Sequence, residues 1–334
     1  MKELWTIAEQ KNGKLKSVSF ELLSRGRKLA EDLDAQLCSV LIAGKITDET
    51  LQELIYRGAD RVYVVEDERL EDFVAETHSN VLADLIESYQ PHTILAAATS
   101  SGRTMMPYVA IKVNTGLTAD CTELAIEEET QHLLQTRPAI GGNIMATIKT
   151  PDHSPQMATV RPKSSRPLPA DSERTGEIIR LDLKEALIDS RVQVLGIRKD
   201  EENFTNIEEA DIVVSGGKGM RKEENFAMLR QLADHFDAVI GASRDAVDRG
   251  WISYPHQVGL SGKTVSPKLY ICAGVSGSIQ HLAGIKTAEY IVAINNDPDA
   301  NIFQVADFGI VGDLFEIIPE LNKKLEKVKK GDSN

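Results

Sequence analysis

Cysteine is scarce in this chain of 334 residues. It occurs only at Cys38, Cys121 and Cys272, and these positions lie far apart. No Cys-x-x-Cys pair and no Cys/His spacing typical of a zinc or iron–sulfur site is present. The same scarcity excludes a scaffold built on disulfides and indicates a reducing compartment. We therefore expect no bound metal and a cytoplasmic location.

Basic residues are outnumbered by acidic ones, with 38 Lys and Arg against 51 Asp and Glu and a net charge of −13. A nucleic-acid-binding protein needs a net basic surface for the phosphates, so we expect no nucleic acid partner. Long apolar runs are missing too. No stretch approaches the ~18 apolar residues that indicate a membrane-spanning helix, and the N-terminal residues do not resemble a signal peptide. We expect no membrane insertion.

Short apolar runs alternate with amphipathic stretches in both halves of the chain. Strands separated by helices are typical of parallel sheets, so the pattern predicts an α/β protein with two doubly wound parallel-sheet domains. Five of the 12 prolines fall between residues 151 and 169, where they predict a loop-rich segment. We place the domain boundary after residue 195, which gives domains of 1–195 and 196–334.

Two details of this pattern are specific enough to test. Short runs between residues 120 and 161, ending with Gln156–Arg161, are expected to form strands along one edge of the first sheet. In the second half, Phe303–Phe308 is predicted to be a strand, Ser278–Ile285 to open a helix, and Gly312–Lys330 to form the closing helix.

Four predicted strands of the second half end in turns of small or polar residues, at 215–219, 241–244, 274–278 and 295–297. The carboxyl ends of parallel strands line the ligand crevice of an open sheet. Glycine there lets the backbone approach a phosphate, and a following helix start supplies N–H donors. Lys218 and Arg244 add positive charge. Together these turns predict a nucleotide-binding site.

Familiar enzyme motifs are absent. The dinucleotide fingerprint Gly-x-Gly-x-x-Gly does not occur, and the near-match to a P-loop at Gly262-Lys263-Thr264 has Gln257 where that loop requires glycine. There is no Gly-x-Ser-x-Gly elbow and no His-Glu-x-x-His. An autonomous nucleotide-dependent oxidoreductase is therefore disfavoured. A module that uses a nucleotide only structurally stays open as an alternative.

Residues 212–313 resemble the FAD-binding domain of the alpha subunit of electron transfer flavoproteins. The most specific match is Ser-Gly-Ser-Ile-Gln-His-Leu-Ala-Gly at 276–284, supported by Ser-Gly-Gly-Lys-Gly at 215–219 and Gln-Val-Gly-Leu-Ser-Gly-Lys at 257–263. The first half is similar to the family's N-terminal domain more diffusely, for example at Arg137–Asn143. The resemblance implies FAD as the cofactor and a Rossmann-like second domain.

The resemblance also implies a set of FAD-binding residues. They are Gly217, Lys218, Ser243, Arg244, Gln257, Val258, Gly259, Leu260, Ser261, Gly274, Ser276, Gly277, Ser278, Ile279, Gln280, His281, Asn295 and Asp313.

By this resemblance the segment 276–281 lines the flavin and its ribityl chain, with His281 near the pyrimidine carbonyl and Arg244 over the ring. Ser261 takes the position of the hydroxyl that bonds flavin N5. Asn295 and Asp313 match contacts to the adenosine half. Because reduction places negative charge on the ring, we expect His281 and Arg244 to supply positive potential, and their replacement by alanine to lower the first reduction potential.

Two positions depart from the common family pattern. Lys218 stands where many members have arginine, so the planar fork for a diphosphate is lost although the charge is kept. Leu260-Ser261 replaces the Gln-Thr of many members. The hydroxyl is retained, but one polar contact is removed.

The resemblance further implies partners. The first domain would dock a beta subunit to form a heterodimer, and a flavin-containing acyl-CoA or other dehydrogenase would exchange electrons with it. Gln257–Gly262 and Gly116–Cys121 resemble versions from anaerobic bacteria, which favours the bifurcating type, in which the beta subunit oxidises NADH and ferredoxin is reduced. The alternative is a non-bifurcating carrier that accepts electrons from dehydrogenases and passes them to a quinone oxidoreductase. In either case redox activity belongs to a complex.

Overall fold

The computed structural model describes residues 2–139, 144–196, 207–208 and 210–329. The chain divides into two compact units, Met1–Arg198 and Lys199–Asn334. The proline-rich segment 151–169 lies inside the first unit and does not mark this division. Residues 140–143 of the predicted family segment and Lys330 of the predicted closing helix lie outside the described residues.

The first unit is built around a seven-stranded sheet. Its elements are β1 Lys2–Ala8, β2 Gln10–Lys11, β3 Lys14–Leu15, α1 Ser17–Asp32, β4 Ala35–Ala43, α2 Asp48–Tyr56, β5 Arg61–Glu66, α3 Ala75–Tyr89, β6 Thr93–Ala97, α4 Ser100–Lys112, β7 Leu117–Cys121, β8 Glu123–Ile126, β9 Leu133–Pro138, β10 Met145–Ile148, β11 Gln156–Val160 and β12 Glu177–Leu181.

All pairings in that sheet are parallel, in the order β12-β5-β4-β1-β6-β11-β7. Its strands are nearly continuous apolar runs because both faces are covered. Leu4 packs with α1 and α2 on one face, and the next residue, Trp5, packs with α3 and α4 on the other. This alternation is the doubly wound arrangement that the sequence predicts, and the prediction is confirmed.

The prediction for Gln156–Arg161 is wrong in one respect. β11 does not lie at the edge of the sheet; it is inserted between β6 and β7. All five of its residues are buried, and an edge position would leave one side of such a strand unpaired. The neighbouring runs β8, β9 and β10 form a separate antiparallel sheet.

The second unit repeats the parallel α/β plan on a smaller scale. Its elements are β13 Ile212–Gly216, α5 Phe226–Asp234, β14 Val239–Ala242, α6 Arg244–Asp248, β15 Leu269–Ala273, α7 Ile279–Leu282, β16 Tyr290–Asn295, β17 Phe308–Val311 and α8 Leu314–Lys329.

The five strands of the second unit are all parallel and follow the order β14-β13-β15-β16-β17. The chain therefore builds from β13 to one side through β14, then crosses back and builds to the other side from β15. That reversal is a topological switch point, where the loops after β13 and β15 diverge and leave a crevice. One face of the sheet is covered by α5 and α8, including Phe226 and Ile318.

Two other predictions for this unit need correction. The segment Phe303–Phe308 is not a strand: Asn301–Gln304 forms a 3₁₀-helix, and β17 begins only at Phe308. Phe303, the first apolar residue of the predicted strand, packs as part of this helix against the cluster that contains Ile302, whereas all four residues of β17 are exposed. The helix expected at Ser278–Ile285 is only the four-residue α7.

In the described part of the chain, no helix has both the length and the apolar character needed to cross a membrane.

Candidate functional site

A cleft of about 780 Å³ opens at the carboxyl edge of the second sheet. It is lined by the turns that follow β13, β14, β15 and β16, so it occupies the crevice expected at the switch point. Its size falls within the usual range for sites that bind cofactors and other small molecules. The four small-residue turns of the sequence therefore converge on one place.

Most residues singled out from the sequence line this cleft. They are Lys218, Ser243, Arg244, Val258, Gly259, Leu260, Ser261, Gly274, Ser276, Gly277, Ser278, Gln280, His281, Asn295 and Asp313.

Three predicted residues do not line the cleft: Gly217, Gln257 and Ile279. Gly217 is buried against the turn that follows β15. A Cβ added at Gly217 would lie 2.2 Å from the carbonyl oxygen of Gly274. Gln257 is buried and acts through a neighbour, as described below. The Ile279 side chain is 68% exposed.

The turn after β15 brings backbone close to backbone. Gly277 has φ +81°, and a Cβ there would lie 2.2 Å from the backbone nitrogen of Ile302. Within the described residues, the N–H groups of Ser276, Gly277 and Ser278 donate to no backbone or side-chain acceptor. This turn therefore offers consecutive free donors, which suit the oxygen atoms of a nucleotide.

Both basic and acidic side chains line the cleft. Lys218 is exposed, and Arg244 pairs with Asp248 at 3.2 Å. Arg221, which the sequence reading missed, also lines the cleft and lies with its guanidinium 4.7 Å from the ring centroid of Phe315. Its position three residues after Lys218 in the same turn is the signal that could have indicated it.

His281 is almost fully buried at the base of the cleft, with 4% exposure. Its Nε2 lies 3.0 Å from the hydroxyl of Tyr270, and its Nδ1 is buried without a hydrogen bond of good geometry. Burial lowers the pKa of His281 to about 4, against a smaller opposing effect of the Val258 backbone. The imidazole is therefore neutral at neutral pH, so the positive potential expected from His281 would have to come from a ring N–H and not from a net charge.

The loop 257–261 is held by its own side chains. Gln257, with 4% exposure, donates from Nε2 to the Oγ of Ser261 at 3.1 Å, and the Tyr254 hydroxyl donates to the Ser261 carbonyl at 3.1 Å. Because Ser261 Oγ accepts this bond, its own proton is free to be donated elsewhere. Leu260 beside it is 73% exposed.

Asn295 has a structural role at the end of β16. Its Nδ2 donates to the carbonyl of Val275 at 2.8 Å, and its Oδ1 accepts from the N–H of Asp297 at 3.0 Å. The amide thus ties the turn after β15 to the turn after β16. Asp313 accepts from the N–H of Phe315 at 2.9 Å at the start of α8.

Comparison with known proteins places this architecture in a family. A model of the electron transfer flavoprotein domain matches residues 4–186, and a model of the electron transfer flavoprotein FAD-binding domain matches residues 206–286. The chain is 48% identical over 328 residues to the electron transfer flavoprotein subunit alpha of Thermoanaerobacterium thermosaccharolyticum, covering 98% of this chain and 99% of the relative. The chain belongs to the electron transfer flavoprotein alpha-subunit family.

Two further relatives of this electron transfer flavoprotein chain are informative. The subunit alpha of Megasphaera elsdenii is 44% identical, covering 98% of this chain and 97% of the relative. Lactate dehydrogenase (NAD(+),ferredoxin) subunit LctC of Acetobacterium woodii is 40% identical, covering 94% of this chain and 74% of the relative.

FAD is the cofactor of this electron transfer flavoprotein domain, and the cleft fits it. Two polar atoms on cleft-lining residues, Ser243 Oγ and His281 Nδ1, are buried without a hydrogen bond of good geometry among the described residues. Ser243 directly precedes α6, yet its hydroxyl caps no helical N–H. Orphaned polar atoms beside a glycine-lined turn are groups that a bound polar ligand would satisfy. When bound, FAD supplies the electron-transfer chemistry.

Proposed function

We propose that the cleft of the second unit holds FAD through the predicted residues and that the chain works as the alpha subunit of a heterodimeric, bifurcating electron carrier. The observation that carries the proposal is the convergence of the residues matching the FAD-binding family on one switch-point cleft with free backbone donors. Gly217 and Gln257 do not line the cleft, and they contribute by shaping the turns that line it.

The chain's own residues suggest a division of labour. Ser261, with its Oγ satisfied as an acceptor by Gln257, donates its proton to the ligand. Arg244 lies at the cleft mouth with a 69% exposed side chain and contributes a long-range cation. His281 contributes a buried, neutral imidazole instead of a charge. A preorganised donor in a nearly dry site stabilises developing negative charge more than the same donor in water.

The names of relatives support the bifurcating version. One is named as a subunit of a lactate dehydrogenase that uses NAD(+) and ferredoxin. Another, from Anaerotignum propionicum, is named acryloyl-CoA reductase electron transfer subunit beta and is 36% identical over 357 residues. We propose by this likeness that a beta subunit, NADH, ferredoxin and an acyl-CoA or related dehydrogenase are the partners.

The flavin content of the purified complex tests the proposal. The full chain is co-expressed with its beta subunit, and the acid-released nucleotides are counted per heterodimer. Two FAD support the bifurcating type. One FAD with AMP supports the simple carrier that passes electrons to a quinone oxidoreductase. A colourless complex would contradict FAD binding and favour a module with a structural nucleotide.

Reduction by NADH separates the partners' contributions. We expect NADH to bleach the flavin of the complex under anaerobic conditions and to leave the flavin of the isolated alpha chain oxidised. Bleaching of the isolated chain would instead identify an autonomous oxidoreductase.

A further inference from the structure

Tyr270 lies directly behind the cleft without lining it. It belongs to β15, is completely buried, and places its hydroxyl 3.0 Å from His281 Nε2. The two ring centroids are 6.1 Å apart. Since His281 lines the cleft and Tyr270 does not, the hydrogen bond to this histidine gives Tyr270 an indirect route to a bound ligand.

A neutral imidazole carries one proton on either of two nitrogens. Desolvation keeps His281 neutral, with a pKa of about 4. Its Nε2 faces the Tyr270 hydroxyl. Its Nδ1 is buried and makes no hydrogen bond of good geometry, and the backbone of Val258, which also lines the cleft, is close enough to the ring to affect its pKa. The bond made at Nε2 therefore decides whether Nδ1 is a donor or an acceptor.

The direction of the Tyr270 bond follows from its burial. Burial raises the pKa of Tyr270 well above its usual range, so the phenol keeps its proton. Ser215 on the adjacent strand makes no side-chain hydrogen bond of good geometry among the described residues, whereas His281 Nε2 lies 3.0 Å from the phenol oxygen. A buried hydroxyl needs an acceptor for its proton, so the phenol directs its single proton to Nε2 of His281.

We propose that Tyr270 is a positioning residue that holds neutral His281 as the Nδ1–H tautomer, so that the ring presents a hydrogen-bond donor beside the cleft. A donor suits a carbonyl oxygen or a developing negative charge, whereas the opposite tautomer would present a lone pair and repel it. The effect on a flavin rests on the proposed function of the cleft. The tautomer itself is a property of the chain alone.

The tautomer is measured by NMR of the full chain carrying ¹⁵N-labelled histidine, in FAD-free and FAD-loaded forms. The His281 signals are assigned by their loss in His281→Gln. We expect the unaltered chain to show predominantly Nδ1–H. Predominance of Nε2–H would overturn the proposal, and the tautomer is read on the unaltered chain, with His281→Gln serving only to assign the signals.

Tyr270→Phe removes only the hydroxyl and conserves the core volume. We expect the ratio of Nδ1–H to Nε2–H to fall roughly 2- to 10-fold, as one net hydrogen bond allows. Tyr290→Phe is the matched control, because Tyr290 lies on the neighbouring strand with 55% exposure. An unchanged ratio in Tyr270→Phe, or an equal change in the control, counts against the proposal.

The reduction potential of the FAD-loaded complex gives the second readout. Loss of the Nδ1 donor makes reduction less favourable, so we expect Tyr270→Phe, but not Tyr290→Phe, to lower the potential. An unchanged potential overturns the link between this tautomer and the flavin. A chain that shows the expected tautomer but binds no FAD contradicts the proposed function instead.

Discussion

Both units form a crevice at the carboxyl edge of their sheet, but the residues that line the two crevices differ. In each sheet the first strand is flanked on one side by the next strand in sequence and on the other by a later one, so each has a switch point at its carboxyl edge. In the second unit that edge carries glycine turns and free N–H groups around about 780 Å³. In the first unit it holds a smaller cleft of about 300 Å³ whose walls include Ile7, Ile42 and Met105.

The difference at the helix start is the most telling. In the first unit, α4 begins at the switch point, but the Glu9 carboxylate already lies there, bonded by the Thr99 hydroxyl and by Lys16 at 2.9 Å. A carboxylate from the protein takes the place that an anion would need at a helix N-terminus. Topology thus creates a crevice in both units, while the side chains of the turns decide which one is open to a nucleotide.

The largest effect that sharpens this comparison is expected from Gly277→Ala. The new Cβ would meet the backbone of Ile302 in a left-handed conformation, so FAD affinity should fall by roughly 100-fold or more, which is about 3 kcal/mol. Gly250→Ala is the matched control, because Gly250 has φ +73° but open space around its Cα and so carries only backbone strain. Fluorescence titration with FAD measures both; equal losses would show that strain, not the cleft, is responsible.

The acid stability of the second unit is the next largest effect. His281 has a pKa of about 4 when folded and about 6.5 when unfolded. Between these values the unfolded chain binds more protons, so stability is complete above pH 6.5 and falls as the pH drops toward 4, by about 3 kcal/mol. His281→Gln should remove this part of the slope.

Urea unfolding followed through Trp251, in a Trp5→Phe background, reports on the second unit alone, since the chain has only two tryptophans. An identical pH slope with and without the histidine would rule out His281 as its source.

A smaller effect is expected from Glu9→Gln in the first unit. Removing the charge weakens the contacts to Lys16 and Thr99 and should lower the unfolding free energy by about 1–2 kcal/mol. Trp5 fluorescence follows the change. FAD content should stay constant, and the exposed Glu129→Gln should change neither quantity. A loss of FAD in Glu9→Gln would break the separation of roles between the units.

The smallest effect concerns Arg244. Its side chain is 69% exposed and paired with Asp248, so its field is partly screened. Arg244→Ala should lower the first reduction potential of FAD by about 40 mV, the equivalent of about 1 kcal/mol. Arg249→Ala is the control, because Arg249 stacks on Trp251 and does not line the cleft. If anaerobic redox titration gives the same first reduction potential for both variants, Arg244 does not tune the potential of FAD.

Local patterns were enough to predict the α/β class, the two parallel sheets and the turns that line the cleft. The reason is that apolar periodicity and glycine positions depend on neighbouring residues along the chain. The family-like block at 276–284 even indicated the histidine. It did not indicate the protonation of His281, because desolvation depends on how the surrounding elements pack and not on the adjacent sequence.

Sequence alone determined that each half alternates strands with helices and that the second half ends its strands in small residues suited to a nucleotide. Only the tertiary structure decided that β11 lies inside the first sheet, between β6 and β7. The same holds for the Glu9 carboxylate at the start of α4 and for the hydrogen bond between Tyr270 and His281. Strand order and such side-chain meetings are settled by pairing and burial between distant segments, and these are free-energy differences of the whole packed unit.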